Sequence, residues 1–158
     1  MACPALNRRG MRLMLALTGC VCLAILQGCA GHNSTSKKTP AEKRAREKEA
    51  RAAAAAWLAL IDAGDYAGAY AAEPDRLRKA TTEEQFVRSM EGRRVPFGRV
   101  LSRSFIGAAF THKLTGSPDG QYESILFRTA FANKSLAAER VILSHESAQW
   151  RVVDYRVY

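Results

Sequence analysis

The chain predicts an α+β fold, with N-terminal helices packed on a four-stranded antiparallel sheet, and three observations carry that prediction. Between Thr39 and Arg94 apolar residues recur at helical spacing behind two capping signatures. From Arg99 onward they alternate along extended runs separated by turn residues. The helical stretch precedes the extended stretch and does not alternate with it, which places the helices on one face of an antiparallel meander. The organisation follows: 1–28 a leader, 29–40 a tether, and 41–158 a single domain of about 120 residues, an ordinary domain size.

The first helix starts at Thr39-Pro40-Ala41-Glu42, with Thr39 as N-cap, Pro40 at the first helical position and Glu42 completing a capping box. Its opening turns offer Glu42/Arg46, Lys43/Glu47 and Glu47/Arg51 as i,i+4 ion pairs. An apolar stripe then runs through Ala50, Ala53, Ala54, Trp57, Leu58 and Ile61, so the helix has an exposed stem and a buried end. Gly64 suits a left-handed stop and Asp65 an N-cap for a short helix over 66–72. Pro74 opens a weak turn, and Thr81-Thr82-Glu83-Glu84 begins a further helix that puts Phe86, Val87 and Met90 on one face. Arg93 and Arg94 fall at its negative end, and Val95-Pro96-Phe97-Gly98 punctuates the chain.

Strands are expected over 99–114, 122–131, 137–144 and 149–158. The loop Thr115-Gly116-Ser117-Pro118-Asp119-Gly120 joins the first two as a hairpin. In the second strand Ile125, Phe127, Thr129 and Phe131 alternate with Ser124, Leu126, Arg128 and Ala130, so one face is apolar. Strict alternation in the last strand puts Asp154 on the face of Trp150, Val152 and Arg156, and Tyr155 on that of Val153 and Val157. Asp154 is then expected to face solvent.

The leader has its own grammar. Arg8, Arg9 and Arg12 precede an apolar run from Leu13 to Leu26, followed by Gln27, Gly28 and Cys29. A basic segment, a short apolar core and a small residue before the cleavage point make a secretory signal. The apolar run falls short of the roughly 20 residues that span a bilayer. The ending is similar to a lipobox, in which the cysteine thiol is acylated and becomes the new N-terminus. Cys29 is therefore the expected lipid attachment, and the lipid bilayer, reached through acylated Cys29, is the first expected partner. Ala30 after the cysteine favours the outer membrane over the inner, with the domain facing the periplasm. Met11 offers a second start.

Cys3, Cys20, Cys22 and Cys29 are the only cysteines, so the exported domain has no disulfide, no thiolate nucleophile and no cysteine metal site. The chain carries a net charge of +9, part of it in the leader. For an exported protein a basic balance points to anionic lipid or cell-wall polymer rather than nucleic acid. The run Gly31-His32-Asn33-Ser34-Thr35-Ser36-Lys37-Lys38 reads as a flexible tether with a reach on the order of 15–20 Å.

Three blocks resemble a known family in order along the chain. They are Ala55-Ala56-Trp57-Leu58-Ala59-Leu60-Ile61-Asp62-Ala63-Gly64-Asp65-Tyr66, Phe127-Arg128-Thr129-Ala130-Phe131-Ala132-Asn133-Lys134 and Trp150-Arg151-Val152-Val153-Asp154-Tyr155. Together they resemble the bacterial domain of unknown function 4019, over roughly residues 53–158. The resemblance implies an exported or membrane-tethered protein and carries no established activity. The layout is also similar to nuclear-transport-factor-2-like cones, in which helices cap a curved sheet and enclose a pocket. Fold alone does not assign function.

Such cones sometimes do acid–base work with an Asp or His beside a Tyr. The weak catalytic candidates here are Asp154 and His112, with Tyr122, Tyr155 and His145 behind them. His112 ends a strand and His145 adjoins a turn, both ordinary places for a solvated histidine. The histidines show no metal-ligand spacing, and no phosphate loop, nucleophile elbow or dinucleotide fingerprint occurs, so neither metal nor cofactor is expected. Arg88, Arg93, Arg94, Arg99 and Arg103 cluster at the helix-to-strand switch as a possible patch for an anionic surface. The aromatics Trp57, Tyr66, Tyr70, Phe86, Phe105, Phe110, Phe127, Phe131 and Trp150 serve mainly as core in so small a domain, with some free to line a pocket.

The expectation is a membrane-anchored lipoprotein of the bacterial cell envelope whose domain is a non-catalytic binding or interaction module. Its partner would be an apolar small ligand or an envelope protein, and a homodimer through the sheet face fits the same layout. The alternative is a small-molecule hydrolase or isomerase using an acid–base residue in the cone pocket. A purely structural envelope component is the third reading.

Overall fold

The computed structural model describes residues 38–158. Four helices come first: α1 (Pro40–Ala63), α2 (Tyr66–Ala71), α3 (Asp75–Ala80) and α4 (Glu83–Arg94). A single 3-10 turn over Val95–Phe97 leads into β1 (Val100–Thr111), β2 (Tyr122–Phe131), β3 (Lys134–Glu146) and β4 (Gln149–Val157). The strands form one antiparallel sheet in the order β1-β2-β3-β4, so the α+β architecture is as expected. Among the described residues no helix is long and apolar enough to cross a membrane. The leader, Cys29 and most of the tether lie outside them.

α1 begins at the expected cap. Thr39 Oγ1 accepts from the Glu42 N–H, and the Glu42 carboxylate accepts from the Thr39 N–H at 2.6 Å. These bonds hold the exposed Glu42 carboxyl below its usual range. None of the three predicted i,i+4 pairs forms, and three of the side chains involved are drawn to other partners. Glu42 turns back to the cap, Arg46 reaches Glu123 on β2 at 2.7 Å, and Arg51 lies over the Phe105 ring. An exposed i,i+4 pair contributes only about 0.3–0.5 kcal/mol, too little to compete with a part-buried ion pair.

The stripe Ala50, Ala54, Trp57, Leu58 and Ile61 is buried against Ile125, Phe127, Val141, Leu143, Val152 and Tyr155 of the sheet. Gly64 stops the helix at φ 76°, where only glycine is unstrained. Asp65 then caps α2, and Trp57 Nε1 donates to the Ala69 carbonyl at 3.1 Å, fixing α2 on α1. Thr82 closes a second capping box with Gln85, and α4 buries Phe86 and Met90.

The sheet extends further into its turns than the turn residues suggested. Phe131 pairs with Lys134 and Glu146 with Gln149, so each connection is two residues long and β3 gains both ends. At the second turn Ser147 (φ 50°) and Ala148 (φ 62°) take the left-handed conformation that hairpin turns of this length demand, without asparagine or glycine. Of the four register shifts in the ladders, two fall well inside the strands: Ile106 has no partner opposite it on β2, and Val153 none on β3. The second overturns the expected parity of β4. Leu143 pairs with Val152 and Ile142 with Asp154, so Val152 and Tyr155 both enter the core although three residues apart. An extra residue in one strand shifts every side chain beyond it to the other face.

Candidate ligand-binding cleft

Helices α3 and α4 stand beside β4 and leave a cleft of about 220 Å³ between them. Trp57, Leu77, Phe86, Met90, Val152 and Tyr155 supply its apolar walls. Glu73 lines it too, and Glu73 is the residue that sequence periodicity did not single out. It sits in the link between α2 and α3, with its N–H donating to the Tyr70 carbonyl and the buried Pro74 following it. The residue is only 8% exposed.

Among the described residues no protein donor reaches the Glu73 carboxylate. Arg78 is engaged by the Asp75 carboxylate and the Ala71 carbonyl, and Arg76 donates to Glu146 through Nε at 3.2 Å while its buried Nη2 has no partner among those residues. Burial pushes the Glu73 carboxyl up to about 7, against the pull of Arg78 and Arg76. A largely buried carboxylate without a donor from the chain is satisfied only from the cleft side, by water or by whatever enters. Exposed Arg93 and half-buried Asp154 complete the lining.

A second polar cluster lies inside the domain and has the opposite character, since its members are paired. Glu139 is fully buried and accepts from Arg103 Nε at 2.6 Å, from the Tyr155 hydroxyl at 2.6 Å and from the Thr129 hydroxyl. Arg103 also bonds Asp62 at 2.6 Å, and Arg94 joins Asp62 at 3.1 Å. Burial works against the Arg103 charge, but its bonds to Asp62 and Glu139 prevail and raise its pKa. Burial first, then the Glu139 charge and hydrogen bond, raises that of Tyr155. With both of its oxygens bonded, Glu139 ties β3 to β1, β2 and β4, while Asp62 carries the network on to α1 and α4. This is a fastener.

Of the sequence-predicted catalytic candidates only Asp154 and Tyr155 come together, both in the cleft lining, and the others lie apart. His112 lies exposed just beyond β1, with Nδ1 3.1 Å from the Gly120 carbonyl and its ring edge-on to Phe110. Asp154 is on β4, the opposite edge of the sheet, paired with Arg156 at 3.1 Å and Arg140 at 3.7 Å. Tyr122 donates to the Pro118 carbonyl at 2.6 Å, and His145 packs on Trp150. The five arginines do not form one surface either. Arg94 is 4% exposed and lies over the Phe131 ring, and Arg103 is held by Asp62 and Glu139. Arg88, Arg93 and Arg99 remain exposed, Arg88 within 3.8 Å of Glu84. The reason is parity: Arg103 shares its face with Phe105, which points both inward. Among the described residues no cluster of His, Cys, Asp and Glu could hold a metal ion.

The family model for a protein of unknown function, DUF4019, matches residues 53–155. The chain belongs to this DUF4019 family. All of the cleft lining, from Trp57 to Tyr155, falls inside that match. No curated protein matches the chain. No solved structure matches it either.

Proposed function

We propose that this DUF4019 protein is a lipoprotein of the bacterial cell envelope whose domain binds a small ligand in the Glu73 cleft without transforming it. Support for the address comes from the order of the leader: basic residues, a short apolar run, then Gly28 and Cys29. In this reading residues 1–28 are removed, acyl chains on Cys29 hold the chain in the membrane, and Ala30 directs it to the outer membrane, facing the periplasm. Support for binding rests on one observation, a largely buried glutamate that receives no hydrogen bond from the described chain and lines a cleft with aromatic walls.

An acid–base enzyme is the second reading, and Glu73 rather than His112 or Asp154 favours it, since a carboxyl held at about 7 suits proton transfer near neutral pH. Native mass spectrometry of residues 29–158 carrying Cys29→Ser, exported and purified gently, tests the binding reading. A co-purifying small molecule supports it. A bare monomer mass counts against tight binding, and a bare dimer points to the sheet face as a self-contact. For the anchor, the full chain should fractionate with membranes and carry added acyl mass, and Cys29→Ser should release it.

A further inference from the structure

We infer that the cleft recognises a small cationic amine, with Glu73 as counter-charge and Trp57, Phe86 and Tyr155 as walls for the apolar body. The inference deepens the binding reading and rests on it. Glu73 is more than nine-tenths buried, lines the cleft, and receives no hydrogen bond from the chain among the described residues. Arg76 and Arg78, the cations nearest it in sequence, place their hydrogen bonds on Glu146, Asp75 and the Ala71 carbonyl and none on Glu73, although Arg76 Nη2 is left without a partner among those residues. What the carboxylate lacks is therefore a donor, and the open side from which one can arrive is the cleft.

A charged N–H donor satisfies a carboxylate about twice as well as a neutral one. Aromatic faces favour a cation further, and Trp57, Phe86 and Tyr155 all line the same space. The alternative charge is disfavoured: an anion would sit beside Glu73, with Asp154 also in the lining and the exposed Arg93 as its one unpaired cation among the cleft residues. Size bounds the ligand as well. At about 220 Å³ the cleft is smaller than the roughly 300–1,000 Å³ that takes drug-sized molecules. A single ring or short alkyl chain bearing one ammonium group is the class that fits.

The test uses residues 29–158 with Cys29→Ser and two probes of nearly equal shape, 2-phenylethylamine and 2-phenylethanol. Binding is followed at pH 8 by amide chemical shifts of cleft residues, Ser89, Met90 and Val152 among them. The amine should bind at least about tenfold more tightly than the alcohol, the difference a charged hydrogen bond makes. Glu73→Gln should abolish that preference while keeping alcohol binding. Ser89→Trp, which fills the cleft, should weaken both, with thermal melting confirming that each variant folds. Equal affinity for the two probes, or a preference that survives Glu73→Gln, overturns the amine assignment. Alcohol binding without preference would do so while leaving the cleft as a binding site. If neither probe shifts cleft residues, both the assignment and the binding reading fall.

Discussion

Replacing Glu73 by glutamine should make the domain more stable, and only above a certain pH. Burial holds the Glu73 carboxyl at about 7, against a usual value of 4.5. A raised value in the folded state means that folding favours the protonated form. The stability tied to that proton is fully present below about 4.5 and is lost as pH rises through about 7. At about 1.4 kcal/mol per pH unit the difference amounts to about 3 kcal/mol. Water entering through the cleft screens part of it, leaving roughly 2 kcal/mol. Glutamine keeps the shape and never ionises. The variant should therefore match the parent near pH 4.5 and exceed it by roughly 2 kcal/mol at pH 8, about 8 °C in Tm for a domain of this size. Urea unfolding at half-unit intervals between these limits measures it, with unchanged m-values as the check on comparability. Arg76, Arg78, Arg93 and Asp154 lie around the site on α3, α4 and β4 but are common to both chains, so the difference isolates Glu73. A stability difference that does not vary with pH would refute the reasoning.

Other substitutions test the frame around the cleft. Arg103→Met leaves the fully buried Glu139 without its cation and should cost about 3 kcal/mol in urea unfolding; a loss below about 1 kcal/mol would mean that Thr129 and Tyr155 suffice. Ala148→Gly relieves a left-handed residue at φ 62° and should stabilise by about 1 kcal/mol, with no change in m-value. Thr82→Ala removes the side-chain half of the α4 capping box and should cost about 1 kcal/mol, visible as faster hydrogen exchange in the first turn of α4.

How much of this was legible can be argued residue by residue. The caps at Thr39 and Thr82, the stop at Gly64 and the limits of β2 were readable, because local hydrogen bonding and sterics decide them. Glu139 was nearly so: it alternates with Ala137, Val141 and Leu143 on a face that is otherwise apolar, a sign of an internally paired charge. Arg103 carries the same sign beside Phe105. The parity of β4 was not readable, since nothing in Val152-Val153-Asp154 announces an extra residue; the ladder with β3 decides it. Glu73 was hidden for a different reason. It lies between two helices too short for periodicity, and its burial comes from how α3 and α4 stand against β4. Tertiary packing, which no local pattern encodes, makes that cleft.

The contact between Trp57 and Tyr155 joins the first helix to the last strand, with ring centroids 5.4 Å apart. The floor beneath α1 stays incomplete until β4 is in place, because Val152 and Tyr155 form part of it beside residues of β2 and β3. During synthesis, then, the four helices emerge with their apolar stripe uncovered, and the hairpins that follow cannot finish the burial alone. The final nine-residue strand closes the structure. Loss or misplacement of β4 therefore uncovers part of the apolar stripe of α1 as well as the edge of β3.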